Sequence, residues 1–385
     1  MPYHSKRASL IQPFHVMRLL ARAKQLQAEG RDIVHMEVGE PDFNTPQPVI
    51  DAAQRVIASG DVHYTPATGL PALKAKLAEH YQQTYQAQVD PKQVVITPGS
   101  SGALLLSLAC AVEPGKNILL ADPGYPCNRN FSYFLNGEVR AVNVDESSNY
   151  QLTAELIEQH WTKNTVGVIL ASPSNPTGTL ISDYDLQSIV KTVDQYDGLI
   201  FMDEIYHGLI YGNEKASSIV NFTDKAFVIN SFSKFYGMTG WRVGWCVVPK
   251  AYVTYVDNFA QNIFLAAPTP AQHAALAAFA AETQAILEQR RQAFQQRRDF
   301  LLPAIKALGF KVKSEPQGAF YIYADCSALT DDSGQFAEQL LEQAGVAITP
   351  GMDFGENRHK QHVRFAYTTS LERLELGVQR IKGFL

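Results

Sequence analysis

Cysteine is scarce in this 385-residue chain: Cys110, Cys127, Cys246 and Cys326 stand far apart and form no CxxC pair. Neither a zinc ribbon nor a dithiol redox centre has support, and reduced thiols in a cytoplasmic protein fit this usage best. Charge is thin as well. Lysine and arginine total 33 against 38 aspartates and glutamates, a net charge of -5, with no long block of one sign. Nucleic-acid and membrane-surface proteins ordinarily show a basic patch, so neither kind of partner is expected. Long apolar runs are missing too: the purest, Ala274 to Ala281, is far short of the about 20 residues that a bilayer-spanning helix needs. The N-terminal region carries His4, Lys6, Arg7 and an apolar stretch broken by Pro13, without the apolar core of a signal peptide, and reads as mature protein. HExxH, GxSxG and GxGxxG do not occur, which removes the signals for a metalloprotease, a serine hydrolase or a Rossmann dehydrogenase.

What is present is an ordinary globular composition, 46% hydrophobic and 18% charged, on a chain too long for one core. Helical spacing over Pro13 to Glu29 is followed by a short strand-like piece, Ile33 to Val38, and the turn Gly39-Glu-Pro-Asp-Phe43. From Pro46 onward helix and strand patterns alternate. Continuous apolar runs at Val94–Thr97, Ile118–Ala121, Arg140–Val144, Val166–Ala171, Leu199–Met202 and Phe227–Ser231, with a further candidate at Trp245–Val248, read as strands buried on both faces of a mostly parallel sheet. The pattern changes near Pro268. Pro270 to Leu308 reads as one long helical region, bent near Glu282, before strands at Phe320–Tyr323, Val346–Ile348 and Val363–Tyr367. The expected architecture is an α/β protein whose mostly parallel sheet is flanked by helices, with a smaller α+β domain formed by both termini. Its expected division is 1–44 for an N-terminal arm and part of the small domain, 45–269 for the large domain, and 270–385 for the rest of the small domain.

The chemistry is expected at Ala226-Phe-Val-Ile-Asn-Ser231-Phe-Ser233-Lys234, followed by Phe-Tyr-Gly-Met-Thr-Gly-Trp-Arg242-Val-Gly244. A buried strand ends there in two hydroxyls and a lysine, with glycines and an arginine close behind. By itself Lys234 is an ordinary surface lysine after a core strand. Ser231, Ser233, Arg242 and a glycine-rich turn beside it make an anion cup, and an amine next to a phosphate site points to a Schiff base with pyridoxal phosphate.

Other strand ends carry groups for other atoms of that cofactor, and in open α/β sheets such ends converge. Asp203, closing Leu-Ile-Phe-Met-Asp, suits the pyridine nitrogen, because an opposite charge favours its protonated form. Tyr206 and Asn175 suit the ring hydroxyl, and Tyr125, in Asp-Pro-Gly-Tyr-Pro, the ring face. The amides of Ser100, Ser101 and Gly102 lie at a helix start suited to phosphate. Arg364 can hold a substrate carboxylate through two parallel hydrogen bonds. Taken singly, each has a structural reading as a cap, ion pair, turn or core residue; the shared position at strand ends is the signal.

These motifs resemble the class I and II aminotransferases, pyridoxal-phosphate enzymes of fold type I, along essentially the whole chain. The lysine stretch matches throughout, joined by Gly39-Glu-Pro-Asp-Phe, Tyr64-Thr-Pro-Ala-Thr-Gly69, Ser174-Asn175-Pro-Thr-Gly, Asp203-Glu-Ile-Tyr206, Gly318-Ala-Phe-Tyr, Thr349-Pro-Gly and Val363-Arg364-Phe-Ala-Tyr, in the family's order. The resemblance implies that Lys234 carries the Schiff base and that Asp203, Tyr206, Asn175 and Tyr125 hold the ring. Ser100, Ser101, Gly102, Ser231, Ser233 and Arg242 would hold the phosphate. Arg364 would bind the substrate carboxylate, assisted by Asn175 and the Gly39 backbone, and Tyr64 would reach the phosphate of a partner subunit in a homodimer with shared sites.

Two departures are visible. Gly102 stands where many relatives have Glu or Gln, and Ser101 stands where some acid-specific relatives have lysine, so neutral or aromatic donors are expected over acidic ones. Arg129 is the alternative residue for an acidic side chain, with a solvated surface position as its other reading. The activity implied is ping-pong transfer of an amino group from an L-amino acid to a 2-oxo acid. β-Elimination or a related carbon-sulfur lyase or synthase reaction on the same scaffold is the alternative. A ligand-sensing regulatory module lacks the attached basic domain it would need.

Overall fold

In the computed structural model, residues 4–212 and 215–385 are described. Among the described residues eleven strands occur in chain order: β1 Val34–Met36, β2 Val94–Thr97, β3 Asn117–Asp122, β4 Glu138–Asn143, β5 Thr165–Ala171, β6 Leu199–Asp203, β7 Ala226–Ser231, β8 Gly244–Val247, β9 Tyr321–Asp325, β10 Val346–Pro350 and β11 His362–Ala366. Seven form one sheet in the order β2-β8-β7-β6-β5-β3-β4, in which β8 alone runs against its neighbours. The expected runs are all strands of this sheet, and the lack of alternation in the inner strands follows from burial on both faces; the edge strand β4, expected at Arg140–Val144 and found at Glu138–Asn143, is instead mostly exposed. Val228, Ile200, Val168 and Leu119 pack into one core, while Ile229, Phe201, Ile169 and Ile118 pack into another with the helix Gly99–Ala109.

That helix starts poorly, with Gly-Ser-Ser-Gly in its first turn and no side chain capping it. A glycine costs a helix about 1 kcal/mol, whereas burying a leucine gains about 1.5–3 kcal/mol. Leu104, Leu106 and Leu108 are all buried, so packing prevails and the helix forms with its first amides free.

The second sheet has the order β1-β10-β11-β9. Strand β1 pairs in parallel with β10, Val34 opposite Val346, so the N-terminal strand completes a sheet otherwise made from the last third of the chain. The helix His15–Ala28 shares its core through Leu19, Ala23 and Leu26.

The expected division at 269/270 is displaced. The helical region is two helices, Thr269–Ala277 and Ala281–Ala307, and the first belongs to the large sheet's core, where Ala271, Ala274 and Ala275 pack with Val49, Ala53 and Leu73. Its alanines form the small-residue face that lets the helix Gln47–Ser59 come close. The second helix passes from one core to the other, with Leu287 in the large core and Phe294, Leu301 and Ile305 in the small one.

Candidate active site

Strand register brings the chemistry to one edge. Thr97 of β2 and Ser231 of β7 both lie opposite Gly244 of β8, and Ala171 of β5 lies opposite Asp203 of β6. The residues just past these strand ends therefore meet over the same edge. Beyond Ser231 the chain is pinned by Phe232, fully buried with its ring centroid 4.9 Å from those of Trp245 and Tyr236. Ser233 and Lys234 emerge from this anchor into a cavity of about 270 Å³.

Lys234 Nζ donates to the Gly39 carbonyl at 2.7 Å. Burial, reinforced by the nearby Arg364 and Arg242, pulls its amine down to about 8, although Glu40 and Asp203 oppose the shift. Asp203 is pushed up to about 6 by burial, against the Ile205 amide, which donates to its Oδ1 at 3.0 Å. Tyr206 is buried, and its hydroxyl is 2.8 Å from that of Tyr321. Asn175 Oδ1 accepts from Arg364 Nη1 at 2.9 Å, which leaves the amide nitrogen to donate elsewhere. Arg364 also donates through Nη2 to the Glu37 carbonyl at 2.5 Å, and its guanidinium lies over the rings of Tyr321 and Phe354. Its Nε is buried without a partner. Guanidinium donors fixed in this way can receive a carboxylate without further ordering.

A second corner is built for an anion. Ser231 Oγ donates to Ser233 Oγ at 2.9 Å and accepts from the Ser233 amide at 3.0 Å. Arg242 is held by its Nη1 bond to the Thr239 carbonyl at 2.9 Å. At Gly99, φ is +71°, and a Cβ would sit 2.6 Å from Arg242 Nη2. Only glycine lets that guanidinium lie against the uncapped first turn of Gly99–Ala109, where the helix dipole and free amides already favour negative charge.

Comparison with known proteins agrees with this geometry. The sequence profile of the family described as "Aminotransferase class I and II" matches residues 31–381. This chain belongs to the class I and II aminotransferases. Among its relatives is the (5-formylfuran-3-yl)methyl phosphate transaminase of Methanocaldococcus jannaschii, 36% identical, with 99% of each chain covered. The valine–pyruvate aminotransferase of Mycobacterium tuberculosis is also 36% identical, with 97% of each covered. A solved aminotransferase structure from Mycobacterium tuberculosis superposes with a TM-score of 0.97 at 35% identity, covering 100% of this chain and 99% of the other.

Class I and II aminotransferases depend on pyridoxal phosphate, and this aminotransferase has the groups to hold it: a buried amine, a carboxylate raised by burial, and a cradle that a Cβ at Gly99 would fill. Gly39, Ser100, Ser101, Tyr125, Asn175, Asp203, Tyr206, Ser233, Lys234, Arg242 and Arg364 all line the one cavity. Three expected residues do not. Ser231 is buried behind Ser233 and acts on it. Gly102 lies beneath the cavity against Thr97, Pro98 and Phe264; as the fourth helical residue its amide has the Pro98 carbonyl as its helical partner, so the free amides are those of Gly99, Ser100 and Ser101. Tyr64 is not on this cavity's wall and is 82% exposed. Arg129 donates to the Phe354 carbonyl at 2.8 Å and is not on the cavity wall.

Sequence reasoning missed Tyr321, Asp353, Phe354 and the N-terminal Phe14, Val16 and Met17, which also line the cavity. Tyr321 and Asp353 lie in or beside the matched stretches Gly318-Ala-Phe-Tyr and Thr349-Pro-Gly, a usable signal. The N-terminal residues offered none, because only the fold brings them here. Among the described residues no helix is long and apolar enough to cross a membrane, and no group of acidic, histidine and cysteine side chains is placed to hold a metal.

Proposed function

We propose that this aminotransferase works through Lys234, with the surrounding side chains dividing between cofactor, phosphate and substrate. The observation that carries this reading is the depressed Lys234 amine on the same cavity wall as Asp203, Tyr206 and Asn175. When bound, pyridoxal phosphate supplies the aldehyde that takes up the donor's amine and the electron sink that stabilises charge left at Cα. Lys234 Nζ takes the proton from that Cα. Asp203 would hold positive charge on the ring nitrogen, and the Tyr206 hydroxyl and Asn175 Nδ2 would donate to the ring oxygen, with Tyr125 available to the ring face. Ser233, Arg242 and the amides of Ser100 and Ser101 bind phosphate, with Ser231 orienting Ser233. Arg364 receives the substrate carboxylate beside the Gly39 backbone.

The reading includes a homodimer. Tyr64 projects from a loop tied down by Thr269 Oγ1 to the His63 carbonyl at 2.8 Å, and Gln272 anchors Thr65 and the Leu70 amide. Ile57, Val62, Ile263 and Leu265 are exposed on the neighbouring segments. An outward tyrosine on a braced loop, next to exposed apolar side chains, is suited to a second copy's phosphate site. The helix His15–Ala28 and strand β1, within the expected 1–44 unit, then belong with the C-terminal unit, whose core they share.

The test is a half-reaction. The loaded enzyme is mixed with one amino acid and no 2-oxo acid. Amino transfer releases one 2-oxo acid per site, with a stoichiometric change in cofactor absorbance and no ammonia. Catalytic release of pyruvate with ammonia from a cysteine-type donor would mean β-elimination instead.

A further inference from the structure

The end of the segment before the helix His15–Ala28, with that helix's first turn, forms a strap along one wall of the cavity. At one end, the short helix Lys6–Leu10 docks on the helix Pro126–Phe134: Arg7 Nη1 donates to Asn136 Oδ1 at 3.3 Å, and its guanidinium lies over the Phe134 ring. At the other end, Asp353 accepts from two successive backbone amides, His15 at 2.7 Å to Oδ1 and Val16 at 2.8 Å to Oδ2. The carboxylate is buried and supplies the cap that Phe14 cannot, since no side chain of the helix itself caps it. Phe14, between these ties, and Val16 and Met17, in the first helical turn at and beyond the second, line the cavity, joined by Phe354, the residue after Asp353.

The charges of the cavity are already engaged. Its cations are Lys234, Arg242 and Arg364, each assigned above to amine chemistry, phosphate or the α-carboxylate, and Arg129 is spent on the Phe354 carbonyl. No other cationic side chain among the described residues lines it, and Asp353 places a negative charge on the strap side. From this subunit a donor with a second carboxylate would meet apolar side chains and a like charge there, while a hydrocarbon side chain would be covered.

We infer that the strap is the wall on which the donor's side chain packs, so that this chain selects amino donors with uncharged apolar side chains, and that Asp353 is the positioning residue that sets the wall. The inference rests on the amino-transfer reading above. Each methylene buried is worth about a fourfold gain in binding, so a leucine-sized donor gains well over tenfold on alanine only if the strap is held in place. Hydrogen bonds to a charged acceptor are among the stronger ones, and losing both releases the strap.

The experiment is a stopped-flow half-reaction of the loaded enzyme with leucine, phenylalanine, alanine and aspartate, for the natural chain, Asp353→Asn, Asp353→Ala and Phe14→Ala. Leucine and phenylalanine should exceed alanine by about tenfold or more in apparent second-order rate, with aspartate slower than alanine. In Asp353→Ala the leucine-to-alanine ratio should fall about tenfold, through weaker saturation rather than a lower limiting rate, and Asp353→Asn should fall between. Phe14→Ala should lower the same ratio, and it is the deciding variant if Asp353→Ala does not fold. Aspartate reacting as fast as leucine, or a ratio unchanged in variants with native cofactor absorbance and circular dichroism, overturns the inference. No reaction with any donor overturns the amino-transfer reading itself.

Discussion

Arg364 Nη1 lies 2.9 Å from Asn175 Oδ1, a hydrogen bond between strand β11 of the small sheet and the loop after β5 of the large one. The bond orients both groups. It turns the asparagine's amide nitrogen to the remaining partner and sets the guanidinium plane over Tyr321, 4.2 Å from its ring centroid. Arg364→Lys keeps the charge but loses the planar fork and the ring contact. The apparent KM for the amino donor should rise about 10- to 100-fold, with a smaller change in kcat, as expected for losing about 1.5–3 kcal/mol of charged hydrogen bonding. Steady-state kinetics checks this; an unchanged KM would remove Arg364 from the substrate site.

Lys234→Ala leaves the phosphate corner intact. It should retain cofactor at reduced affinity and lose at least about 10²- to 10⁴-fold in single-turnover amino transfer, the usual contribution of a positioned proton acceptor. Near-normal turnover by the variant would reassign the proton transfer to another group.

Gly99→Ala introduces a methyl 2.6 Å from Arg242 Nη2 at a backbone φ of +71°. Arg242 must move off the helix end, and the left-handed conformation adds about 1 kcal/mol of strain. Cofactor titration of the apo-protein should show at least tenfold weaker binding, while the uncofactored aldehyde pyridoxal, which lacks the phosphate, should bind both forms alike.

The Lys234 amine, ordinarily at 10.5, is brought to about 8. Its neutral, nucleophilic form is therefore abundant above about pH 8 and falls away below it. The rate of reconstitution of apo-protein with pyridoxal phosphate should climb with pH and level off near 8. A climb continuing to 10.5 would show an unshifted amine. The linkage has the same sign: between about 8 and 10.5 the unfolded chain binds the proton that the folded apo-protein has lost, so this residue makes the apo-protein more stable as pH rises through that window.

The large sheet was legible because its inner strands are buried on both faces and appear as uninterrupted apolar runs, as in Leu199–Met202. Lys234, Asp203, Asn175 and Arg364 were legible because each follows or sits on such a run and carries an unusual polar group for that position. The errors came where position along the chain says little about direction in space. Gly102 looked equivalent to Ser100 and Ser101, but helical rotation turns it inward. Thr269–Ala277 looked continuous with the helix after it, but its alanines are a packing face for the large core. Phe14, Val16 and Met17 lie at the start of a stretch whose helical spacing is readable, but nothing in their own sequence shows that Asp353, more than 300 residues later, ties them down.

The helix Ala281–Ala307, 27 residues long and so about 40 Å from end to end, behaves mechanically as an axle common to both cores. Leu287 is keyed into one and Phe294, Leu301 and Ile305 into the other. Sliding the axle lengthwise, or rotating it about its own axis, would unseat side chains worth about 1.5–3 kcal/mol each, whereas a small bend between residues 287 and 294 would keep both sets seated. A bend there is the least costly relative movement this helix allows, and it would change the angle between the two sheets, and with it the approach of Arg364 to Asn175, rather than slide one sheet past the other.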